Sequence, residues 1–216
     1  MRRLISFILV IIFPYISVGL SARIAFSEKF VEWEYSKKDF PKDRWGMEKE
    51  ERLELAKLGL KAVTSDEGMK EFKEVKLKNG RKAFTRREVK HMEDVKNFLS
   101  FFFPSVYVLS LFWISAVIFL GNFEILIWSG IFNSLVLLFL GLFTFTKYDK
   151  AFEIFHNLAF DPYSWRFRYS DTLIRIYPMK FWYDGTVFVA VLSFLFGIVI
   201  LLTGILGKRF LKGKGA

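Results

Sequence analysis

Only two histidines, His91 and His156, occur among the 216 residues, and each stands among acids and aromatic rings. A histidine near its usual pKa of about 6.5 accepts and returns a proton at neutral pH, which makes it the commonest general acid and base. In "TRREVKHMEDVKNFLSFFF", residues 85–103, helical spacing puts Glu88, His91, Asp94 and Val95 on one face, so an imidazole sits beside carboxylates. His156 lies in "AFEIFHNLAFDPYSWRFRYSDTLIRIYPMKFWYD", residues 151–184, together with Trp165, Asp171 and Arg175. The chemical reading is an acid–base pair, and the plain alternative is two ordinary interfacial histidines. With Glu88, Asp94 or Asp161 the pair also makes a two-histidine, one-carboxylate metal set. No HExxH or similarly close ligand spacing supports that set, so neither metal nor cofactor is expected. The chain lacks Cys, a G-x-S-x-G elbow, an S-x-x-K motif and a P-loop, so thiolate, serine-hydrolase and nucleotide-driven chemistry have no local support.

These residues have to be positioned by elements that suit a membrane. Hydrophobic residues make up 53% of the chain, 27 residues are Phe, and the apolar residues are grouped in uncharged runs. Four such runs, Leu4 to Ala22, Phe98 to Phe123, Ile125 to Thr146 and Gly185 to Gly207, approach the roughly 20 residues that cross about 30 Å of hydrocarbon as a helix. The expectation is a single all-α membrane domain over 1–216 with spans at about 4–22, 98–120, 125–146 and 185–207. A cleaved signal peptide competes for the first run, with basic residues ahead of it and small residues near Ala22, but the run is longer than a usual signal core.

Arg2 and Arg3 precede the first span, and Lys208, Arg209, Lys212 and Lys214 follow the last. Positive charge near span ends marks the cytoplasmic side, so both termini read as cytoplasmic. An even number of spans then sends segments 23–97 and 147–184 together to the outer face of the cell membrane. The net charge of +10 suits anionic lipid head groups. Nucleic acid is not expected as a partner, because no basic strip is interleaved with aromatics.

The first outer segment reads as a small, mainly helical domain. "MEKEERLELAKLGLKAVTSDEGMKEF" predicts two short amphipathic helices, and "KLKNGRKAF" predicts a turn with positive φ at Asn79 and Gly80, flanked by extended pieces. Thr85 with Glu88 forms a capping-box pattern, and no breaker follows before Pro104, so one helix is expected from Thr85 into the second span. In the second outer segment, "SDTLIRIYP" predicts a short helix opened by Ser170 or Asp171, braced by an Asp171–Arg175 ion pair and stopped by Pro178. Tyr163, Trp165, Tyr169, Tyr177, Phe181, Trp182 and Tyr183 fit an interfacial aromatic belt.

"REVKHMEDVKNF" at 87–98, with "FEIFHNLAFDPYSWRF" and "DTLIRIYPMKFWYD" within 152–184, resembles the bacterial lipoprotein intramolecular transacylase family, Lit. The resemblance covers most of the chain through its span layout. It implies a membrane acyltransferase that takes diacylglyceryl-modified lipoproteins as substrate. The acyl chain on the glyceryl sn-2 oxygen moves to the α-amino group of the same N-terminal cysteine, giving a lyso-form lipoprotein. It also implies that two outer-face histidines, matched here by His91 and His156, carry the chemistry. Asp171, Arg175, Asp94, Glu88 and Trp165 are then the residues expected to position the substrate. The alternative is a non-enzymatic envelope protein that binds lipid or a partner through its outer segments.

Overall fold

The computed structural model describes residues 1–214, with side chains to Leu211, so the side chains of Lys212 and Lys214 in the expected basic tail lie outside the described part. The described residues form nine helices: α1 (Arg2–Ala25), α2 (Glu28–Ser36), α3 (Lys49–Thr64), α4 (Asp66–Glu74), α5 (Arg86–Leu120), α6 (Phe123–Thr146), α7 (Tyr148–Ala159), α8 (Thr172–Ile176) and α9 (Met179–Lys214). Four of them, α1, α5, α6 and α9, are long and apolar enough to cross a membrane, and they contain the four expected spans. The chain divides into two compact units. One holds Met1–Arg23, Phe103–Lys147 and the residues from Val187 onward, and the other holds Ile24–Phe102 and Tyr148–Thr186.

The first unit contains the apolar helices. Leu9, Phe13, Ile16, Trp113, Ile125 and Leu126 form its buried cluster, and Trp113 Nε1 donates to the Leu9 carbonyl at 3.0 Å. Large apolar side chains also face outward, with Leu111 67%, Phe119 85% and Phe139 74% exposed, as suits contact with lipid. Polar side chains cross-link the helices where no water can reach. Ser17 Oγ donates to Asn133 Oδ1 at 2.6 Å and lies 2.7 Å from Ser193 Oγ, while Asn133 Nδ2 donates to the Ser193 carbonyl at 2.9 Å. Asn133, the one amide side chain in its span, thus ties α6 to α1 and α9. Close approach completes the packing: a Cβ on Gly130 would lie 2.5 Å from the Gly197 carbonyl oxygen.

The second unit is built from α2, α3, α4, α7, α8 and the leading turns of α5 and α9. The two amphipathic helices expected after residue 48 are α3 and α4, and the Ser65 hydroxyl caps α4 by accepting the Gly68 N–H at 3.0 Å. The 76–82 turn forms as well, with a bridge between Lys76 and Lys82, but Gly80 alone takes positive φ. Asn79 instead uses its side-chain oxygen to accept the Arg81 N–H at 3.1 Å, which removes the need for a left-handed residue there. Two members of the expected aromatic belt prove to be core. Tyr177 and Phe181 are buried, and the Tyr177 hydroxyl donates to the Ala56 carbonyl at 2.5 Å.

Candidate active site

The N-terminus of α5 is fixed by the capping box legible in the sequence. Thr85 Oγ1 accepts the Glu88 N–H at 3.3 Å, and Glu88 Oε2 accepts the Thr85 N–H at 2.7 Å. The other oxygen, Oε1, accepts the Leu173 N–H at 2.7 Å, so one fully buried carboxylate starts α5 and holds the first turn of α8 against it. Glu88 is therefore committed to the backbone, with each of its oxygens accepting an N–H group of the frame.

One turn further along α5, His91 is 7% exposed and meets the other histidine. The two imidazoles stack with centroids 6.1 Å apart and planes inclined by 28°. Aromatic rings enclose them. Phe160 and Phe167 stand edge-on to His91 at 5.1 and 5.5 Å, and Phe152 and Trp165 lie 3.9 and 5.0 Å from His156. His156 falls in the last turn of α7, and the four-residue spacing Phe152–His156–Phe160, which runs one residue past the helix, brings three rings together, tilted against one another.

Hydrogen bonding settles the state of one ring. His156 Nδ1 lies 2.9 Å from the Phe152 carbonyl, an obligate acceptor, so Nδ1 carries the proton and Nε2 keeps its lone pair. Burial pushes the His156 pKa down, against the opposing pull of that carbonyl. His91 belongs to the charged stretch Arg86–Asn97, ahead of the apolar run that begins at Phe98. Burial pushes its pKa down to about 4, the neighbouring His156 acts in the same direction, and Asp94 opposes both. In both rings burial thus favours the neutral form. His91 Nδ1 and Asp94 Oδ2 are buried without a hydrogen-bond partner, while Asp94 Oδ1 accepts from Lys90 Nζ at 2.5 Å.

The remaining sequence-derived residues hold other places. Trp165 touches His156 and donates from Nε1 to Asn157 Oδ1 at 3.2 Å. Asp171 stands at the N-cap position of α8 without a side-chain cap, accepts the Arg168 N–H at 2.8 Å and pairs with Arg87 at 3.7 Å. Its expected ion pair with Arg175 does not form. Arg175 instead donates from Nε and Nη2 to the two oxygens of Asp43, both at 2.9 Å. A helix of five residues places Asp171 at its cap rather than within a full turn, and Asp43 offers a planar, two-pronged match for the guanidinium. Asp43, Phe152, Phe160 and Phe167 are the residues that sequence reasoning missed. Only the four-residue spacing of the phenylalanines around His156 could have exposed any of them. Among the described residues, no three His, Asp or Glu side chains gather as a metal site requires.

Four lipid-length helices define a multi-span helical membrane protein, and its second unit carries a buried pair of imidazoles in an aromatic enclosure. The model of the family "Lipoprotein intramolecular transacylase Lit" matches residues 5–182, and the chain belongs to that family. It is 80% identical over 216 residues to an uncharacterized protein of Aquifex aeolicus (strain VF5), covering 100% of both chains. Its fold is similar to that of the lipoprotein intramolecular transacylase Lit from Bacillus cereus, with a TM-score of 0.69 and 16% identity over 100% of this chain and 99% of that one. A Bacillus cereus variant with a histidine replaced by arginine gives a TM-score of 0.61 at 16% identity, covering 99% of this chain and 95% of that one. The protein is thus a multi-pass membrane transacylase, and the non-enzymatic reading falls away.

Proposed function

We propose that the protein rearranges diacylglyceryl-modified lipoproteins through His91 and His156, yielding the lyso form. The amine nitrogen of the N-terminal cysteine attacks the carbonyl carbon of the sn-2 ester, a C–N bond forms, and the C–O bond to the glyceryl oxygen breaks. The amine loses one proton and the departing oxygen gains one. The reaction is therefore an isomerisation that needs no water and no second substrate. A free α-ammonium has a pKa of about 7.7–8.0, so its extra proton must first pass to solvent; a base then takes a proton from the attacking amine, and this is the one the glyceryl oxygen gains.

The observation that carries this reading is the stacked histidine pair within its aromatic enclosure. His156 offers Nε2 as the base, its ring held in one tautomer by the Phe152 carbonyl, and His91 passes the proton on toward the leaving oxygen. Donor and acceptor are carried by one substrate molecule, so holding them in attack geometry supplies much of the acceleration and no enzyme nucleophile is required. Trp165 and Asp94 contact the substrate beside the pair. Glu88, Asp171 and Arg175 position it indirectly, by fixing α8 and the 41–47 loop to the frame.

Both termini are cytoplasmic in this reading, and the histidines work at the outer leaflet. Lys208 binds Glu124 at 2.6 Å, and Ile5, Leu120 and Phe123 pack against the same buried cluster. These contacts support a common end for the start of α1, the α5–α6 turn and the basic end of α9. The test is expression in a strain that makes only diacylated lipoproteins, followed by mass spectrometry of a lipoprotein N-terminus. An N-acylated, monoacyl-glyceryl cysteine is expected, and an unchanged diacylglyceryl cysteine would refute the assignment.

A further inference from the structure

A second recess in the same unit contains neither histidine. Its volume is about 550 Å³, and it lies between the 41–47 loop, α3 and the α8–α9 corner. Among its lining residues are five cations, Lys42, Arg44, Arg52, Arg175 and Lys180, against a single carboxylate, Asp43.

The charges in this recess are not equivalent. Asp43 is fully engaged: it binds Arg175 and accepts the N–H groups of Trp45 and Met47 at 2.9 and 2.8 Å, and these partners hold its carboxyl at about 2 despite burial. Lys180 is paired with Asp39 and Asp184 at 2.9 and 2.8 Å. Arg52 is only 4% exposed and donates to the carbonyls of Arg175 and Pro41, both at 2.8 Å, with no carboxylate partner. Lys42 and Arg44 are exposed and have no acidic partner among the described residues. Among the described residues the recess therefore holds one buried and two exposed cations that no carboxylate answers, the buried Arg52 lying over the Tyr35 and Phe40 rings at 5.6 and 5.3 Å.

The loop that presents Lys42 and Arg44 is held in shape by its own residues. Asp43 knots it through two backbone N–H groups, and Gly46 turns it at φ 83°, a conformation that disfavours any side chain. Trp45 and Tyr169 stand 49% and 80% exposed among the lining residues, amphipathic rings of the kind that settle at a lipid head-group layer. A guanidinium pair, an ammonium and a concave wall match the tetrahedral oxygens of a phosphate ester.

We propose that this recess binds a phosphate group, held by Lys42, Arg44 and Arg52. The site is separate from the histidine pair and does not depend on the transacylase reading. Its test uses the full-length protein in detergent, with binding read by native mass spectrometry and thermal shift and no reaction monitored. The probes are short-chain phosphatidylglycerol, the matching diacylglycerol without phosphate, and inorganic phosphate. Lys42→Gln/Arg44→Gln should weaken phosphatidylglycerol binding by at least about tenfold at unchanged melting temperature, as expected for two basic residues at an anionic headgroup. The charge-matched control Lys70→Gln/Arg81→Gln, at exposed positions outside the recess, should bind like the wild type. Displacement of the lipid by inorganic phosphate would identify free phosphate as a sufficient ligand, and no displacement would identify the lipid headgroup. Equal loss in both variants, no loss in the first, or diacylglycerol bound as tightly as phosphatidylglycerol would overturn the proposal.

Discussion

His91 should make the protein acid-labile by an amount that follows from its burial. In the unfolded chain its imidazole titrates near 6.5, whereas in the folded protein burial, reinforced by His156, lowers the value to about 4. Between these values the unfolded state binds more protons, so stability is fully present above pH 6.5 and declines as pH falls toward 4. At pH 5 the unfolded-state residue is almost wholly protonated and the native one only about a tenth so, which costs the native state about 2 kcal/mol relative to pH 7.5. For a chain of this length that corresponds to roughly 4–8 °C in melting temperature. The assay is tryptophan-fluorescence melting of detergent-solubilised wild type and His91→Gln at pH 7.5 and pH 5. Other groups titrate in both proteins, including His156, which shifts in the same direction, so the comparison isolates the His91 contribution. The wild type should lose about 4–8 °C more than the variant over this interval. Equal losses would mean that His91 is not held neutral by its surroundings.

Three further outcomes follow from the packing. Arg175→Met strands Asp43, whose side chain is 2% exposed, and should destabilise by about 3–5 kcal/mol, with part of the loss recovered in Asp43→Asn/Arg175→Met; chemical denaturation reads both. Asn133→Leu removes the link from α6 to Ser17 and Ser193 and should cost about 1–2 kcal/mol in detergent, visible as earlier melting. Gly130→Ala places a methyl 2.5 Å from the Gly197 carbonyl and 2.7 Å from Leu201 Cβ, so a cost of about 1–3 kcal/mol is expected on the same melting curve.

What the sequence reveals depends on how local each signal is. The four spans are legible because uncharged runs of lipid length have no other stable home, and Thr85 and Glu88 announce the start of α5 because a capping box is written within four residues. The meeting of His91 and His156, 65 positions apart, is legible from their place beside span ends and from the resemblance, and their rings do stack. Arg175 shows the opposite case. Its partner in sequence register, Asp171, loses to Asp43, 132 positions away, because side-chain geometry in the folded unit outweighs four-residue spacing on a helix of one turn. Helix α2 escapes the apolar pattern for a similar reason. Glu34 is buried beside Lys37, which also reaches Asp184, so a charged residue occupies a position that periodicity assigns to an apolar one.

Proton transfer through the two histidines can be read directly from the lipoprotein product. Wild type, His156→Ala and His91→Ala, expressed to equal levels in a strain that makes only diacylated lipoproteins, are compared by mass spectrometry of one lipoprotein N-terminus. N-acylated, monoacyl-glyceryl cysteine is expected with the wild type, and conversion reduced by at least about a hundredfold in each variant, the usual contribution of a general acid or base. Full conversion by either folded variant would contradict the role given to that histidine, and full conversion by both would contradict the mechanism.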